Sequence, residues 1–183
     1  MVNMSNVNPD MLICLSATDV WYGKLIRWVT DSKVNHTFVL YNSKFWNQWR
    51  AVEIDETGVV DKSVWRLKNL GYVEHWRCDI DLVPAMRSLE AHVGSARYDW
   101  LGLLTGMIRS LFLKTTGREL KRAVHSQSEW FCSEFVAELL IRSNIPGTEK
   151  WRSANVSPGQ IRKLVMDSTC FHEEKCPFGW FPE

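Results

Sequence analysis

Long apolar runs are missing from this sequence. No stretch reaches the ~18–20 consecutive apolar residues that a membrane-spanning helix needs, so no transmembrane segment is expected. The opening residues, MVNMSNVNPD, lack the basic stretch followed by an apolar core that marks a secretory signal. A surplus of one charge is missing too. The chain carries 22 basic and 21 acidic residues, a formal net charge of +1. It therefore lacks the broad basic face that neutralises phosphates, and no nucleic-acid partner is expected. Cysteine is sparse and odd in number. Cys14, Cys78, Cys132, Cys170 and Cys176, at irregular spacing, make no disulfide framework and point to a reducing, cytoplasmic setting. Cys170 and Cys176 are near enough in sequence to pair or share a metal, but no Cys-x-x-Cys or His pair accompanies them. His75, His92, His125 and His172 are scattered without ligand spacing. No metal and no cofactor is called. No internal repeat and no linker divides the 183 residues. They read as a flexible polar tail over 1–10 and one domain over 11–183, whose oligomeric state the sequence leaves open.

Tryptophan is abundant, at ten residues. Large aromatics pack cores and loops, and they also form platforms for a sugar, a lipid or a partner. Met11 to Ser16 reads as a buried strand. Asp19 is a candidate cap for a helix running to Thr30, with Lys24 and Arg27 on its solvent side. His36 to Tyr41, Trp49 to Ile54, Gly58 to Leu67 and Tyr72 to Ile80 read as strands. The DETG at 55–58 is a turn signal, and the short connections predict an antiparallel meander. Pro84 to Val93 reads as a helix. Residues 98–113 are strongly apolar and read as a buried helical segment or a pocket-lining loop, and 114–127 as an exposed loop. Ser128 precedes a helix with apolar residues at helical spacing, stopped by Asn144 to Gly147. Ser157 caps a short helix beginning at Pro158.

The chemistry-bearing stretch is Glu129-Trp130-Phe131-Cys132-Ser133-Glu134-Phe135, which sets a cysteine at the start of an amphipathic helix. The thiolate is the nucleophilic form of cysteine, and the partial positive charge and free N–H groups of a helix N-terminus stabilise that anion. The same N–H groups can hold the oxyanion of a tetrahedral intermediate. His36 heads a strand after a polar turn, where an imidazole can face a cleft and take the thiol proton. A third group must orient the ring. Glu53, in the next strand, is the candidate, and Asp55 competes because strand alternation puts it on the same face.

His36 in one strand, Glu53 in the next and Cys132 opening a late helix resemble the circularly permuted papain-like hydrolases related to NlpC/P60 peptidases. In ordinary papain-like enzymes the cysteine helix comes before the histidine strand; in the permuted group, as here, it comes after. The similarity runs from about Leu12 to Val165, through NHTFVLY, AVEIDETGV, the Tyr98-Asp99 pair, FCSEFVAELL and SPGQI. The small residues usual after the histidine are replaced by Thr37-Phe38-Val39. The resemblance implies an α+β fold, a small antiparallel sheet packed against the helix that bears the nucleophile. It implies Cys132 as nucleophile, His36 as base, Glu53 as orienting residue and Tyr98 as a tyrosine bordering the substrate site. Glu134 matches the motif, but two residues along a helix from Cys132 it points elsewhere and reads as a structural partner.

The expected activity is a cysteine peptidase or amidase, cleaving an amide or peptide bond, such as one in a cell-wall peptide, through a thioester. Two alternatives stand beside it: an acyl-ester hydrolase or acyltransferase on a lipid-like substrate, and a non-catalytic binding module that keeps the fold. A cell-wall substrate would require delivery by a phage or lysis route.

Overall fold

The computed structural model describes residues 7–18, 20–67, 70–99, 105, 108, 111–112, 115–117 and 129–176. Its centre is a strand apolar on both sides. Met11 to Leu15 are all buried in β1 (Val7–Thr18), and a strand with two apolar faces has to be covered on both. β2 (His36–Ser43), β3 (Gln48–Asp55) and β4 (Gly58–Ser63) meander away on one side of β1. β5 (Leu70–Cys78) lies on its other side, and β8 (Phe171–Glu174) adds at the far edge. The result is a six-stranded antiparallel sheet in the order β4-β3-β2-β1-β5-β8. A separate short parallel pair joins β6 (Arg97–Tyr98) to β7 (Glu129–Trp130).

Helices α2 (Val83–Leu89), α3 (Cys132–Arg142) and α4 (Pro158–Asp167) contribute to the core on one sheet face. α3 is fixed there by Phe135, Leu139 and Leu140, all buried with Ile13, Leu15, Val39 and Val52 of the sheet. Burial of each such side chain stabilises by roughly 1.5–3 kcal/mol, enough to hold the helix, and so its first residue, in one place. The opposite sheet face carries a smaller core of Leu12, Cys14, Phe38, Leu40, Ala51 and Val64. The fold is α+β, with an antiparallel sheet packed against the helix that Cys132 begins.

Several expectations shift. β1 starts at Val7, so residues 7–10 belong to the sheet and not to a tail; Val7 pairs with Ser43, and Asp10 is bound by Arg77. Residues 1–6 and Asp19 lie outside the described residues. α1 (Trp21–Thr30) has Val20 at its cap position. The meander stops at β4, because β5 crosses back to pair with β1. Strand β8 was not anticipated, since four residues with two consecutive acids carry no alternation. The predicted helix at 84–93 divides into α2 and a 3-10 turn at Glu90–His92. The cysteine helix begins at Cys132, because Glu129–Trp130 are spent on β7. Ser157 and Gln160 form the reciprocal cap expected for α4. Within the apolar stretch, Thr105, Ile108, Leu111 and Phe112 have helical backbone, and Ile108 and Leu111 are exposed. In the predicted 114–127 loop, Thr115 and Thr116 are also helical, and 118–127 lie outside the described residues.

Cys170 and Cys176 separate. Cys170 packs on the helix-side core with Cys78, whereas Cys176 is close enough to Cys14, on the other sheet face, to raise its pKa further than burial alone. All five cysteines are free thiols.

Candidate active site

The β2–β3 ladder runs from Ser43–Gln48 to Val39–Val52 and stops. Beyond that point lie His36 and Thr37 on one strand, and Glu53 and Asp55 on the other. The N-terminus of α3 meets the sheet here. The Cys132 thiol sits 4.0 Å from the Asn35 carbonyl oxygen, and backbone N–H groups of Thr37 and Ser133 donate to its sulfur. Cys132 is the first residue of α3, and Phe131, in extended conformation, precedes it. The Ser133 hydroxyl donates to the Val156 carbonyl at 2.6 Å and ties down the first turn.

His36 Nε2 lies 2.9 Å from Glu53 Oε2, and the ring is close enough to Cys132 for the two groups to interact electrostatically. Since Nε2 is taken, the Nδ1 edge is the one left for the thiol. The His36 side chain is 15% exposed and that of Glu53 8%, so both are held in a site largely closed to water. Extending the ladder register, Phe38 stands opposite Glu53 and Asp55 opposite His36. Glu53 therefore reaches the ring diagonally. The His36 ring stacks on Phe38, with centroids 5.8 Å apart.

Asp55, the directly opposite carboxylate, is committed elsewhere. Its Oδ1 accepts from the Thr57 N–H at 2.9 Å within the predicted turn, and its Oδ2 pairs with Lys62 at 3.2 Å. Lys62 also pairs with Glu53 Oε1, so the chain of contacts runs Cys132–His36–Glu53–Lys62. Sequence reasoning missed Lys62. It lies in Gly58–Ser63, where an alternating strand residue carries no local sign of a cross-strand partner. Because Glu53 and not Asp55 touches the ring, Asp55→Asn should leave Cys132 reactivity within about twofold of the parent, whereas Glu53→Gln should not. Thiol-labelling rates of the two variants give the comparison, and a loss in Asp55→Asn equal to that in Glu53→Gln would reverse the assignment.

Electrostatics follow from this geometry. Burial by itself would raise the Cys132 thiol, but the His36 charge, the His36 hydrogen bond and the Thr37 and Ser133 N–H groups outweigh it and hold the thiol below its ordinary value. Burial would lower the His36 ring; the Cys132 thiolate first, and then Glu53, push it up to about 10. Burial opposes ionisation of Glu53 as well, and His36 and Lys62 overcome it, so the carboxyl titrates below its usual range. Each shift favours the charged form of its group, so anion and cation alternate along the row Cys132, His36, Glu53, Lys62.

The polar turn before His36 is clamped. Asn35 Oδ1 accepts from the Thr18 N–H at 2.8 Å and from Arg27 at 3.3 Å, and Asn35 Nδ2 donates to Thr18 Oγ1 at 2.6 Å. Arg27 also donates to the Thr18 carbonyl at 2.9 Å. It is thus turned inward, against the expectation of a solvent-facing residue, because that carbonyl at the end of β1 needs a donor. Gly23 permits the clamp. A Cβ there would lie 2.8 Å from the Thr18 carbonyl oxygen and closer still to Asn35 Nδ2. Gly23→Ala is expected to destabilise by about 1–3 kcal/mol and to slow Cys132 labelling by displacing His36. Thermal melts and labelling rates check this, and an unchanged melting temperature would count against a tight clamp.

Tyr98 stands in β6, paired alongside the Glu129–Trp130 strand that leads into Cys132, and packs against the helix-side core. Glu134 is fully buried. Among the described residues no His, Cys, Asp or Glu cluster has the form of a metal site, and no helix is long and apolar enough to cross a membrane. No protein-family model matches the chain, and no curated protein matches it.

Proposed function

We propose that the chain is a cysteine hydrolase of the permuted papain-like kind, cleaving an amide or peptide bond through a thioester. The observation that carries this reading is the grouping of Cys132, His36 and Glu53 at the N-terminus of α3: His36 is hydrogen-bonded to Glu53 on the neighbouring strand and lies close enough to Cys132, far later in the chain, for each to shift the other's titration. The order of the parts, with histidine and glutamate strands before the cysteine helix, fits the permuted arrangement.

Each residue has a defined task. The Cys132 thiolate attacks a carbonyl carbon, and the oxygen takes up negative charge. The Ser133 N–H, at the start of α3, is a candidate donor to that oxyanion. The His36 imidazolium gives its proton to the departing amine, leaving a thioester on Cys132. His36, now neutral, takes a proton from water, whose oxygen attacks the thioester; the carboxylic acid leaves, and the Cys132 thiolate and His36 imidazolium are restored. Glu53, steadied by Lys62, keeps the ring oriented and compensates its charge. An acyl ester fits the same steps with an alcohol as leaving group. The exposed apolar residues Trp21, Leu25 and Trp28, on the helix that clamps the turn before His36, favour this second substrate class. A nucleophile that oxidation would silence suits a reducing, cytoplasmic setting.

The test is covalent. Parent and Cys132→Ala proteins are exposed to activated peptide amides and to p-nitrophenyl acyl esters, quenched in acid and examined by mass spectrometry. An acyl adduct on Cys132 with turnover is expected, both absent in the variant; the better donor class identifies the substrate. Neither adduct nor turnover with either class would leave the binding-module reading in its place.

A further inference from the structure

Helix α1 shows apolar side chains to solvent as well as to the core. Its inner side chains, Ile26 and Val29, are buried. Its outer face carries Trp21, Leu25 and Trp28 at positions i, i+4 and i+7, with Lys24 among them. Trp21 is 76% exposed and Trp28 59%. Two solvent-facing tryptophans flanking a leucine are not explained by core packing, because the opposite side of the helix already supplies that.

We infer that this face of α1 is a docking surface for a lipid bilayer with anionic headgroups. Tryptophan favours the membrane–water interface, where its ring meets acyl chains and its N–H meets the headgroup layer. Charge agrees with that occupant. The helix contains Lys24 and Arg27 and no acidic residue. Arg27 is bound inward, leaving Lys24 on the face and Lys33 exposed just past the helix end, with Asp31 the one exposed acid among the described residues from 20 to 35. A helix with Trp and Leu on its outward face and lysine at its border lies in the plane of the interface without spanning it. Ile108 and Leu111, exposed on helical backbone elsewhere in the chain, are a second apolar pair available to the same kind of surface. The surface is linked to the candidate site, since Arg27 and Gly23 of this helix meet the Thr18–Asn35 clamp next to His36. The inference does not depend on Cys132 being a nucleophile.

Co-sedimentation of the whole chain with phosphatidylcholine vesicles, with and without phosphatidylserine, tests it. The parent should bind the phosphatidylserine vesicles, more weakly as salt rises. Trp21→Ser/Trp28→Ser should bind at least about tenfold more weakly, and Lys24→Glu should lose most of the preference for phosphatidylserine. Leu25→Asn, milder and equally surface-placed, should weaken binding in the same direction if the double variant folds poorly by circular dichroism. Absence of parent binding to either vesicle would overturn the inference, as would binding equal in parent and both apolar variants. So would a parent dimer in sedimentation velocity that the double variant abolishes without any vesicle binding, since the face would then belong to a second copy. Cys132 labelling, measured on the same samples, separates failure of this surface from failure of the catalytic reading.

Discussion

Replacing His36 with alanine is expected to slow iodoacetamide labelling of Cys132 by about an order of magnitude or more at a pH well below the ordinary thiol pKa of ~8.5. In the parent, the imidazolium and the N–H groups of Thr37 and Ser133 overcome the burial that opposes the anion. Without the ring, burial dominates and the sulfur stays protonated. Each unit by which the thiol pKa rises cuts the thiolate fraction about tenfold. The remaining thiolate becomes about threefold more nucleophilic, because reactivity grows with basicity at a Brønsted slope of roughly 0.4–0.5. The net loss is therefore about a factor of three to four per unit. That is why an order of magnitude, and not several, is the expected floor. On the proposed hydrolase reading, turnover of the parent should show a second signature. Protonation of the leaving group needs the imidazolium, so the alkaline limb of the rate profile should lie near the His36 value of about 10, with both limbs belonging to the coupled pair. Mass mapping distinguishes Cys132 from the other thiols. Labelling that rises only near the free-thiol pKa, identically in parent and variant, would sink the dyad.

The largest effect on stability is expected at Glu53. Its carboxylate lies between His36 and Lys62, whose side chains are 15% and 19% exposed. Glu53→Ala removes the anion shared by two cations across a half-closed gap, leaving His36 with Cys132 alone and Lys62 with Asp55 alone. Stranding a charge in this way costs about 3 kcal/mol, or roughly 6–12 °C in melting temperature for a chain of this size. Glu53→Gln keeps the shape and one acceptor oxygen and should lose less. It should also change the acid limb. Glu53 titrates lower in the folded protein than in the unfolded chain. Its contribution is therefore present above the unfolded value of ~4.3 and is lost as pH falls through the lower folded value. Denaturant titrations on either side of pH ~4 should show the parent losing more stability on acidification than Glu53→Gln. Equal acid limbs would mean that the carboxylate is not held as the geometry indicates.

How far the sequence reaches can be judged residue by residue. Cys132 and His36 were legible because their signals are local: a cysteine opening an amphipathic helix, and a histidine heading a strand after a polar turn. Glu53 and Asp55 were equivalent by alternation. Only the turn chemistry of Thr57 and the double pairing of Lys62 separate them, and neither is fixed by neighbours in sequence. Strands β2 to β4 were readable from apolar alternation and the DETG turn. The crossing of β5 to the far side of β1, and the arrival of β8 beside it, depend on long-range register that no window of ten residues contains. The outward apolar face of α1 was hidden for a related reason. The same periodicity that identifies the helix does not say which apolar residues face the sheet, and Arg27 exchanged places with the expectation by finding the Thr18 carbonyl.

The gap where β2 and β3 part has a consequence for the birth of the protein. His36 and Glu53 lie within the first third of the chain, on the paired strands β2 and β3, of which β2 also pairs with β1. Both strands are synthesised well before the α3 residues Phe135, Leu139 and Leu140 that cover that face of the sheet. Cys132 is translated long afterwards, on the helix α3 that meets the sheet there. Until α3 docks there, His36 lacks the partner that most raises its pKa, and a nascent chain holds a wedge without a blade. On the proposed hydrolase reading, chemistry would have to wait for that helix to dock.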